Sequence, residues 1–195
     1  MAYASLERFR DITGRNVLAL QQAKEAGKKV VGQYCIYSPL EIALAAGAIP
    51  VSLCGTKNDS IPVAETMLPR SLCPLIKSSF GFALQDSCPY LAASDIVVAD
   101  TTCDGKKKMY ELLAAYKPVV LLQLPQIQDG DAKDYWRAQY AKLAARLEKD
   151  FGVSITTDDL RDAIRLTNRL RRALKDVLDL AKRKPSPLTG MDLLD

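Results

Sequence analysis

Short apolar runs alternate with amphipathic stretches through the first 125 residues of the chain. Four of these runs are rich in Val, Ile and Leu and are bounded by Gly, Pro or charged residues, which is typical of strands in a buried sheet. The predicted strands occupy residues 29–34, 49–53, 95–99 and 118–124. The fourth run, PVVLLQL, is almost entirely apolar, so we expect this strand to be buried on both faces, as parallel strands are.

Helical periodicity occupies the intervals between the predicted strands. The first helix is predicted from Ala4 to about Lys28, and shorter helices are predicted at residues 39–46, 61–67, 74–84, 88–92 and 104–116. Ahead of the second helix, the sequence SPLE predicts a capping box in which Ser38 caps the helix and Glu41 bonds back to the cap. Alternating strands and helices indicate an α/β fold with an open parallel sheet of about four strands, flanked by helices.

The pattern changes after Pro125, where two charge-rich amphipathic helices are predicted at residues 131–151 and from 157 to about 184. They favour a C-terminal helical hairpin, or an arm that docks on a second domain. The residues expected on the buried side of the second helix are Ile164, Leu166, Leu170, Leu174, Val177, Leu178 and Leu180. The Pro-Ser-Pro sequence that follows predicts a linker. We therefore expect an α/β domain at 1–125, the helical arm at 126–184 and a linker toward a missing second domain at 185–195.

Composition excludes several classes of protein. The 195 residues are 48% hydrophobic and 26% charged, an ordinary balance for a soluble domain. No apolar run approaches the roughly 18 residues of a membrane helix, and no secretory signal is recognisable, so we expect no membrane partner and a cytoplasmic location. The net charge of +4 is mild and aromatic residues make up 7%, which gives no platform for nucleic acid.

The five cysteines are the candidate chemistry, because the chain has no histidine. The absence of histidine excludes Ser-His-Asp and Cys-His nucleophiles and histidine-containing zinc sites. The odd count argues against a disulfide framework in a cytoplasmic protein. Each cysteine lies where one predicted element gives way to another; the five are Cys35, Cys54, Cys73, Cys88 and Cys103. Three of them follow predicted strands, and the carboxyl ends of parallel strands meet at the edge where such sheets bind ligands.

The spacing of the cysteines leaves two interpretations open. Successive cysteines are 19, 19, 15 and 15 residues apart, which excludes a zinc ribbon and differs from ferredoxin motifs. An iron–sulfur cluster held by separate loops remains compatible with this spacing. The alternative is that the cysteines are small buried core residues, an interpretation that is strongest for Cys54. Glycine-rich dinucleotide and phosphate-binding motifs are missing from the sequence.

Four stretches resemble a known family. They are GQYCIYSPLEIALAAGAIPVSLCG, LPRSLCPLIKSSFG, CPYLAASDIVVADTTCDGKKKMYELL and VVLLQLP. Together they resemble the D-component-like proteins of the 2-hydroxyacyl-CoA dehydratase superfamily, which includes benzoyl-CoA reductase subunits. The additional cysteines at positions 35 and 88 make the chain most similar to the double-cubane cluster protein branch. The resemblance covers roughly residues 30–184, so the chain is similar to the N-terminal half of such proteins.

The resemblance implies a Rossmann-like, cluster-binding domain at residues 1–125 and an oxygen-sensitive iron–sulfur protein of anaerobic metabolism. Family members hold their cluster between two such domains, and an ATP-dependent activator protein supplies low-potential electrons. In the double-cubane branch the implied role is electron transfer to, or reduction of, small molecules. In the dehydratases it is removal of water from 2-hydroxyacyl-CoA by a ketyl-radical route. A non-catalytic Rossmann-like binding domain or fragment is the alternative of another class.

The resemblance also implies ligands and partners. Cys73 and Cys103 match the ligands common to the superfamily, and Cys35 and Cys88 match the additional ligands of the double-cubane branch, whereas Cys54 is left out. The implied cofactor is a 4Fe–4S cluster or a double-cubane 8Fe–9S cluster. The implied partners are the activator, the chain's own second domain, and a second subunit in a homodimer or heterodimer. No catalytic residue is predicted, and the substrate stays open.

Overall fold

The structure is a computed structural model that describes residues 4–55 and 57–193, with the side chains of residues 4–10 and 13 excepted. In chain order the elements are α1 (Ala4–Glu25), β1 (Val30–Tyr34), α2 (Leu40–Ala45), β2 (Ile49–Ser52), α3 (Ile61–Ala64), α4 (Pro74–Leu84), α5 (Pro89–Ala93), β3 (Ile96–Asp100), α6 (Asp104–Leu113), β4 (Val119–Leu122), α7 (Ala132–Phe151) and α8 (Thr157–Ala181). The strands and most helices begin and end within a few residues of their predicted positions.

The four strands form one parallel sheet in the order β2-β1-β3-β4. The register places Val31 opposite Pro50 on one side and opposite Ile96 on the other. The predicted α/β fold, with a parallel sheet and C-terminal helices, is therefore confirmed. Because β1 continues to β2 on one side while β3 lies on its other side, the order reverses between β1 and β3, which is the topological switch point of such a sheet.

Hydrophobic cores cover both faces of the sheet. Alternate residues of β3 point to opposite faces, so Val97 and Ala99 lie in one core and Ile96 and Val98 lie in the other. The first core is completed by residues of α4 and α6, and the second by residues of α2 and α7. Helices on both faces explain why the central strands are continuous apolar runs.

The expectation that the fourth strand is buried on both faces is wrong. β4 pairs only with β3 and lies at one edge of the sheet, and Leu121 is 43% exposed. An apolar run indicates that a segment is extended, but strand order is set by tertiary contacts between distant segments. The run PVVLLQL therefore predicted a strand correctly and its place in the sheet incorrectly.

The predicted capping box at Ser38 is not formed. α2 begins after Pro39 without a side-chain cap, and the buried Ser38 hydroxyl instead donates to the carbonyl of Tyr34 at 3.2 Å. The carboxylate of Glu41 accepts hydrogen bonds from Thr167 and Arg171 of α8 at 2.7 Å and 2.6 Å. Ser38 therefore bonds back to the end of β1, and Glu41 bonds to α8 instead of to the start of its own helix.

A capping box does occur at the start of α8, where the sequence analysis did not place one. The Thr156 hydroxyl accepts from the Asp159 N–H at 3.1 Å, and the Asp159 carboxylate accepts from the Thr156 N–H at 2.9 Å. This reciprocal pair satisfies two backbone donors that a helix N-terminus leaves free. It fixes the first residue of α8 and therefore the phase of the helix against α2.

The predicted buried side of α8 is wrong in most positions. Ala163 and Thr167 are the buried residues of this helix, which lies against α2. The exposed large apolar residues are Ile164, Leu166, Leu170, Leu174, Val177 and Leu178. The apolar stripe is wider than the one helix that covers it, so most of its C-terminal half faces solvent. Within the described ranges, no helix has both the length and the apolar character needed to cross a bilayer.

A loop between β2 and α3 is clamped onto α4 by two close glycine approaches. A Cβ added at Gly81 would lie 1.9 Å from the backbone oxygen of Ser60, and one added at Gly55 would lie 2.3 Å from the backbone nitrogen of Ser79. The Ser79 hydroxyl also accepts from the Gly55 N–H at 2.9 Å. Backbone meets backbone at these points, so neither position has room for a side chain.

We expect Gly81→Ala to destabilise the protein by about 1–3 kcal/mol, because an added methyl group overpacks a rigid contact. Gly14→Ala is the matched control, since no described atom beyond its own helix lies within 4 Å of the Cβ position. In an exposed helix this change should stabilise by about 0.5–1 kcal/mol. Urea denaturation of both variants measures the difference, and equal effects of the two changes would contradict the clamp.

Asp95 fixes the start of β1. Its carboxylate accepts the Val30 N–H at 2.8 Å and the Lys24 ammonium at 2.8 Å, so it connects α1, β1 and the turn before β3. Burial raises the pKa of Asp95, but the hydrogen bonds from Lys24 and Val30 outweigh burial and hold the pKa below its usual value of 3.8. A carboxylate with a lowered pKa stabilises the fold only while it is ionised.

The stabilising effect of Asp95 should therefore be full at neutral pH and decline as the pH falls below the usual value of 3.8. We expect Asp95→Asn to lower the free energy of unfolding at pH 7 and to lose much of this effect in strong acid. Urea denaturation at several pH values checks this expectation. Asp162→Asn is the control, since it removes an exposed ion pair with Arg165 and should change stability little at any pH.

Candidate functional site

Two cysteines, Cys35 and Cys103, lie at the switch point of the sheet. Cys35 directly follows β1, and Cys103 is the N-cap residue of α6, shortly after β3. β1 and β3 are hydrogen-bonded neighbours, so the loops that leave them start from adjacent strand ends. Cys35 has a φ of +65°, a left-handed backbone conformation that is uncommon outside glycine. The chain thus turns sharply at the residue that presents this thiol.

Thr102 and Lys106 connect the two cysteine-bearing loops. The Thr102 hydroxyl donates to Cys35 Sγ at 3.9 Å, and Lys106 Nζ donates to Cys35 Sγ and, at 3.1 Å, to Thr102 Oγ1. Burial lowers the pKa of the half-buried Lys106. The hydrogen bond to Cys35 and the charges of Cys35, Asp100 and Cys103 together outweigh burial and raise the pKa above its usual value. The edge of the sheet therefore combines thiols with a fixed positive charge.

Asp100 holds the loop that presents Cys35. This last residue of β3 is 0% exposed, and its Oδ2 accepts the Tyr37 N–H at 3.1 Å. The sequence analysis did not assign this role to Asp100, because the role depends on a segment 63 residues away. Tyr140 of α7 also donates to the Tyr37 carbonyl at 3.2 Å, so the loop is fixed from two sides.

Two buried oxygen atoms at this edge have no hydrogen-bond partner within residues 4–55 and 57–193. They are Asp100 Oδ1 and the hydroxyl of Tyr110. Burial, followed by the charges of Cys35 and Asp100, raises the pKa of Tyr110 well above its usual range, so this phenol stays protonated. Buried polar atoms are almost always paired in folded proteins, so two unpaired oxygens beside thiols indicate a place for a ligand.

A second pair of thiols, those of Cys54 and Cys88, lies beside Tyr34. Cys54 and Cys88 line a narrow cleft with Tyr34, and burial together with the charges of Cys88 and Cys54 raises the pKa of this phenol. The rings of Tyr34 and Tyr110 lie 5.6 Å apart, centroid to centroid. Tyr34 therefore contacts Tyr110 and also lines the cleft of Cys54 and Cys88.

Cys73 lies near Cys103, because the helices that they cap start side by side. Cys73 is the N-cap residue of α4, and a Cβ added at Gly105 of α6 would lie 2.7 Å from Leu72 Cδ1. The segment before Cys73 is fixed by the buried Lys77, whose ammonium donates to the Arg70 carbonyl at 2.7 Å. The assignment of Cys73 and Cys103 as ligands of one cluster stays a prediction.

The donor chemistry of the edge fits an iron–sulfur cluster. All five cysteines are free thiols, of which Cys54, Cys73 and Cys103 are exposed and Cys35 and Cys88 are half-buried. Thiolates are the protein ligands of iron–sulfur clusters. Among the residues that the structure describes, however, no three His, Cys, Asp or Glu side chains converge on one metal position. The ligand set of the sequence analysis therefore stays a prediction, and the thiols form an open rim rather than a closed site.

The sequence analysis did not single out the polar residues around the thiols. It assigned no role to Lys106, although this lysine is directed at sulfur while Lys107 and Lys108 pair with exposed carboxylates. It also passed over Tyr110. The spacing could have identified both residues. Lys106 and Tyr110 lie three and seven positions after Cys103, which are positions on the same face of a helix as that cysteine.

Removing the Asp100 carboxylate should release the loop that carries Cys35. A hydrogen bond to a charged group contributes about 1.5–3 kcal/mol, so we expect Asp100→Ala to speed amide hydrogen exchange at Tyr37 by roughly tenfold or more. Asp100→Asn keeps an acceptor oxygen and should retain most of the protection. The Leu53 amide, which bonds to Gln33 at 2.8 Å, reports global opening, and equal acceleration there would contradict a local role.

Comparison with known proteins places the chain in a family. The profile of the family described as 2-hydroxyglutaryl-CoA dehydratase, D-component, matches residues 35–195. A protein of Escherichia coli (strain K12) named as a dehydratase subunit, YjiM, is 47% identical over 192 residues, which are 98% of this chain and 50% of that protein. The predicted resemblance is therefore confirmed at the level of the superfamily.

More distant relatives include components of both dehydratases and a reductase. The beta component of lactoyl-CoA dehydratase from Anaerotignum propionicum is 27% identical over 190 residues, 96% of this chain and 50% of the relative. A benzoyl-CoA reductase component from Thauera aromatica is 28% identical over 183 residues, 90% of this chain and 46% of the relative. The chain thus spans about half the length of the curated relatives it matches, and it belongs to the 2-hydroxyglutaryl-CoA dehydratase D-component family.

Proposed function

We propose that this chain is the N-terminal, cluster-binding half of an iron–sulfur protein that accepts low-potential electrons from an ATP-dependent activator and works as an electron-transfer or reductase component of the double-cubane type. The observation that carries the proposal is the position of Cys35 and Cys103 after the neighbouring strands β1 and β3, with Thr102 and Lys106 donating to Cys35. Ligands of open α/β sheets bind at this point.

The proposed ligands are Cys35, Cys73, Cys88 and Cys103. Each thiol extends from a junction between elements, and three of them are the N-cap residues of helices. A bound cluster would supply one-electron transfer at low potential. The protein's part is to hold the thiols at fixed positions, to keep water from the buried side through Tyr34 and Tyr110, and to balance negative charge with Lys106.

The remaining ligands are proposed to come from a second domain. The rim of thiols is open within the described residues, and the exposed apolar stripe on α8 would be covered by further protein, since a contiguous apolar surface of this kind marks an interaction site. We propose residues 1–125 as the cluster-binding domain, 126–184 as an arm that docks on the second domain, and 185–195 as the linker. The proposed assembly also contains the activator and a second subunit, either identical or different. We propose that this assembly works in the cytoplasm of an anaerobically growing cell.

A dehydratase subunit is the second candidate function. The family description and the lactoyl-CoA dehydratase relative favour it, and it would use the same thiols with a single 4Fe–4S cluster in removing water from a 2-hydroxyacyl-CoA. The additional thiols at Cys35 and Cys88 favour the double-cubane type over this alternative. A non-catalytic binding domain is favoured only if the thiols prove dispensable.

Iron content distinguishes these functions. In full-length protein reconstituted anaerobically with iron and sulfide, we expect a broad visible absorption band and about eight irons per chain for a double cubane, or about four for a single cubane. Serine at position 35, 73, 88 or 103 should lower the iron content, measured together with the EPR spectrum of the reduced protein. Cys54→Ser is the matched control, which should keep its iron.

Two results would count against the proposal. Full-length protein that takes up no iron under these conditions would leave only the non-catalytic alternative. Retention of iron by both Cys73→Ser and Cys103→Ser would show that the cluster, if any, is held elsewhere. Loss of iron in Cys73→Ser and Cys103→Ser alone, with about four irons per chain, would favour the dehydratase alternative.

A further inference from the structure

Three residues of α6 share one face that is turned toward the end of β1. Cys103 caps this helix, and Lys106 and Tyr110 follow it at spacings of three and four residues, so the three side chains lie in one row. Helical side chains lean toward the N-terminus of their helix, which brings the Lys106 ammonium back over the first turn. The row thus starts with a thiol and continues with two hydrogen-bond donors.

Lys106 is directed at sulfur rather than at a carboxylate. Its Nζ donates to Cys35 Sγ and to Thr102 Oγ1, and the ion pairs found within residues 4–55 and 57–193 do not include it, whereas Lys107 pairs with Asp104 and Lys108 pairs with Glu111. Lys106 is also half-buried, whereas Lys108 is exposed, so the charge of Lys106 is less screened by solvent than that of Lys108.

Tyr110 supplies the second donor. Its side chain is 1% exposed, and its hydroxyl has no hydrogen-bond partner among the described residues. Burial is the main cause that raises the pKa of this hydroxyl, and Cys35, Asp100, Tyr34 and Cys103 are the nearby groups that add to it. A protonated phenol that is buried without an acceptor is a donor that a sulfur atom of a bound cluster could satisfy.

We propose that Lys106 and Tyr110 donate hydrogen bonds to the sulfurs of a cluster held at Cys35 and Cys103 and so raise its reduction potential; this inference rests on the function proposed above. Reduction adds one electron from the activator protein, makes the site one unit more negative and neither forms nor breaks a covalent bond. A nearby ammonium and an O–H dipole stabilise the added charge, and hydrogen bonds to sulfur are an established determinant of cluster potentials. Both are positioning residues, since they act through sulfur.

The experiment compares full-length wild type with Lys106→Met, Tyr110→Phe and the double variant after anaerobic reconstitution. Lys108→Met is the matched control, because it removes the same charge from the same helix at an exposed position. Iron per chain is measured first, and the midpoint potential follows from a dye-mediated titration monitored by EPR. We expect equal iron in all variants, a lower potential in each single variant, the lowest in the double variant, and little change in Lys108→Met.

The possible outcomes separate this inference from the proposed function. Wild type without iron overturns the proposed function, and the inference with it. Wild type and variants with equal iron and equal potentials overturn the inference alone. If Lys106→Met loses iron, Lys106→Arg is measured next. Recovery of iron content and of the midpoint potential in Lys106→Arg supports the role of the charge. Failure of Lys106→Arg to recover, together with an unchanged potential in Tyr110→Phe, overturns the inference.

A spectroscopic signature tests the hydrogen bond of Tyr110 directly. In the reduced protein, an O–H donor to cluster sulfur gives a proton hyperfine coupling that disappears after exchange into D2O. We expect pulsed EPR to detect such a coupling in wild type and in Lys108→Met, and to find it weakened in Tyr110→Phe. An identical exchangeable coupling in Tyr110→Phe and wild type would overturn the assignment of Tyr110 as a donor.

Discussion

The parallel pairing of β1 with β3 is the constraint on which the candidate site depends. All five residues of each strand are buried, and the register brings Tyr34 opposite Ala99. The chain leaves β1 toward one face of the sheet and reaches β3 from the other, so the loops after the two strands diverge and leave a gap between them. Cys35 and Cys103 border this gap. Thr102, the residue before Cys103, contacts Cys35 although 67 residues separate the two in the chain.

Two aspartates on either end of β3 hold β1 in place. Asp95 accepts the N–H of Val30 at the start of β1, and Asp100 accepts the N–H of Tyr37 just beyond its end. A carboxylate that accepts a backbone N–H forms a stronger bond than a neutral acceptor, so β1 is fixed at both ends by charged groups of its neighbour. The position of the loop with Cys35 is therefore fixed by β3, and the same strand leads to Cys103.

Local signals predicted the elements, and tertiary contacts decided what the sequence could not show. Strand runs and helical periodicity depend on nearby residues, and both predicted most elements within a few residues of their positions. The edge position of β4 and the side of α8 that α2 covers depend on partners far along the chain. The thiol rim was predictable because strand ends share an edge, whereas Asp100, Lys106 and Tyr110 gain their roles only from residues of other elements.

The rigid backing of each thiol explains how cysteines without a short motif can serve one site. Local motifs fix ligand geometry through one tight loop, whereas here the geometry is set by the elements behind each cysteine. Asp100 holds the loop of Cys35, Lys77 anchors the segment before Cys73, and Gly105 lets α6 approach α4 closely enough for Cys103 to lie beside it. Ligand positions that rest on packed elements are held more accurately than positions on free loops. Long spacings between the cysteines are therefore compatible with a defined metal site, provided that the sheet and its two cores are formed first.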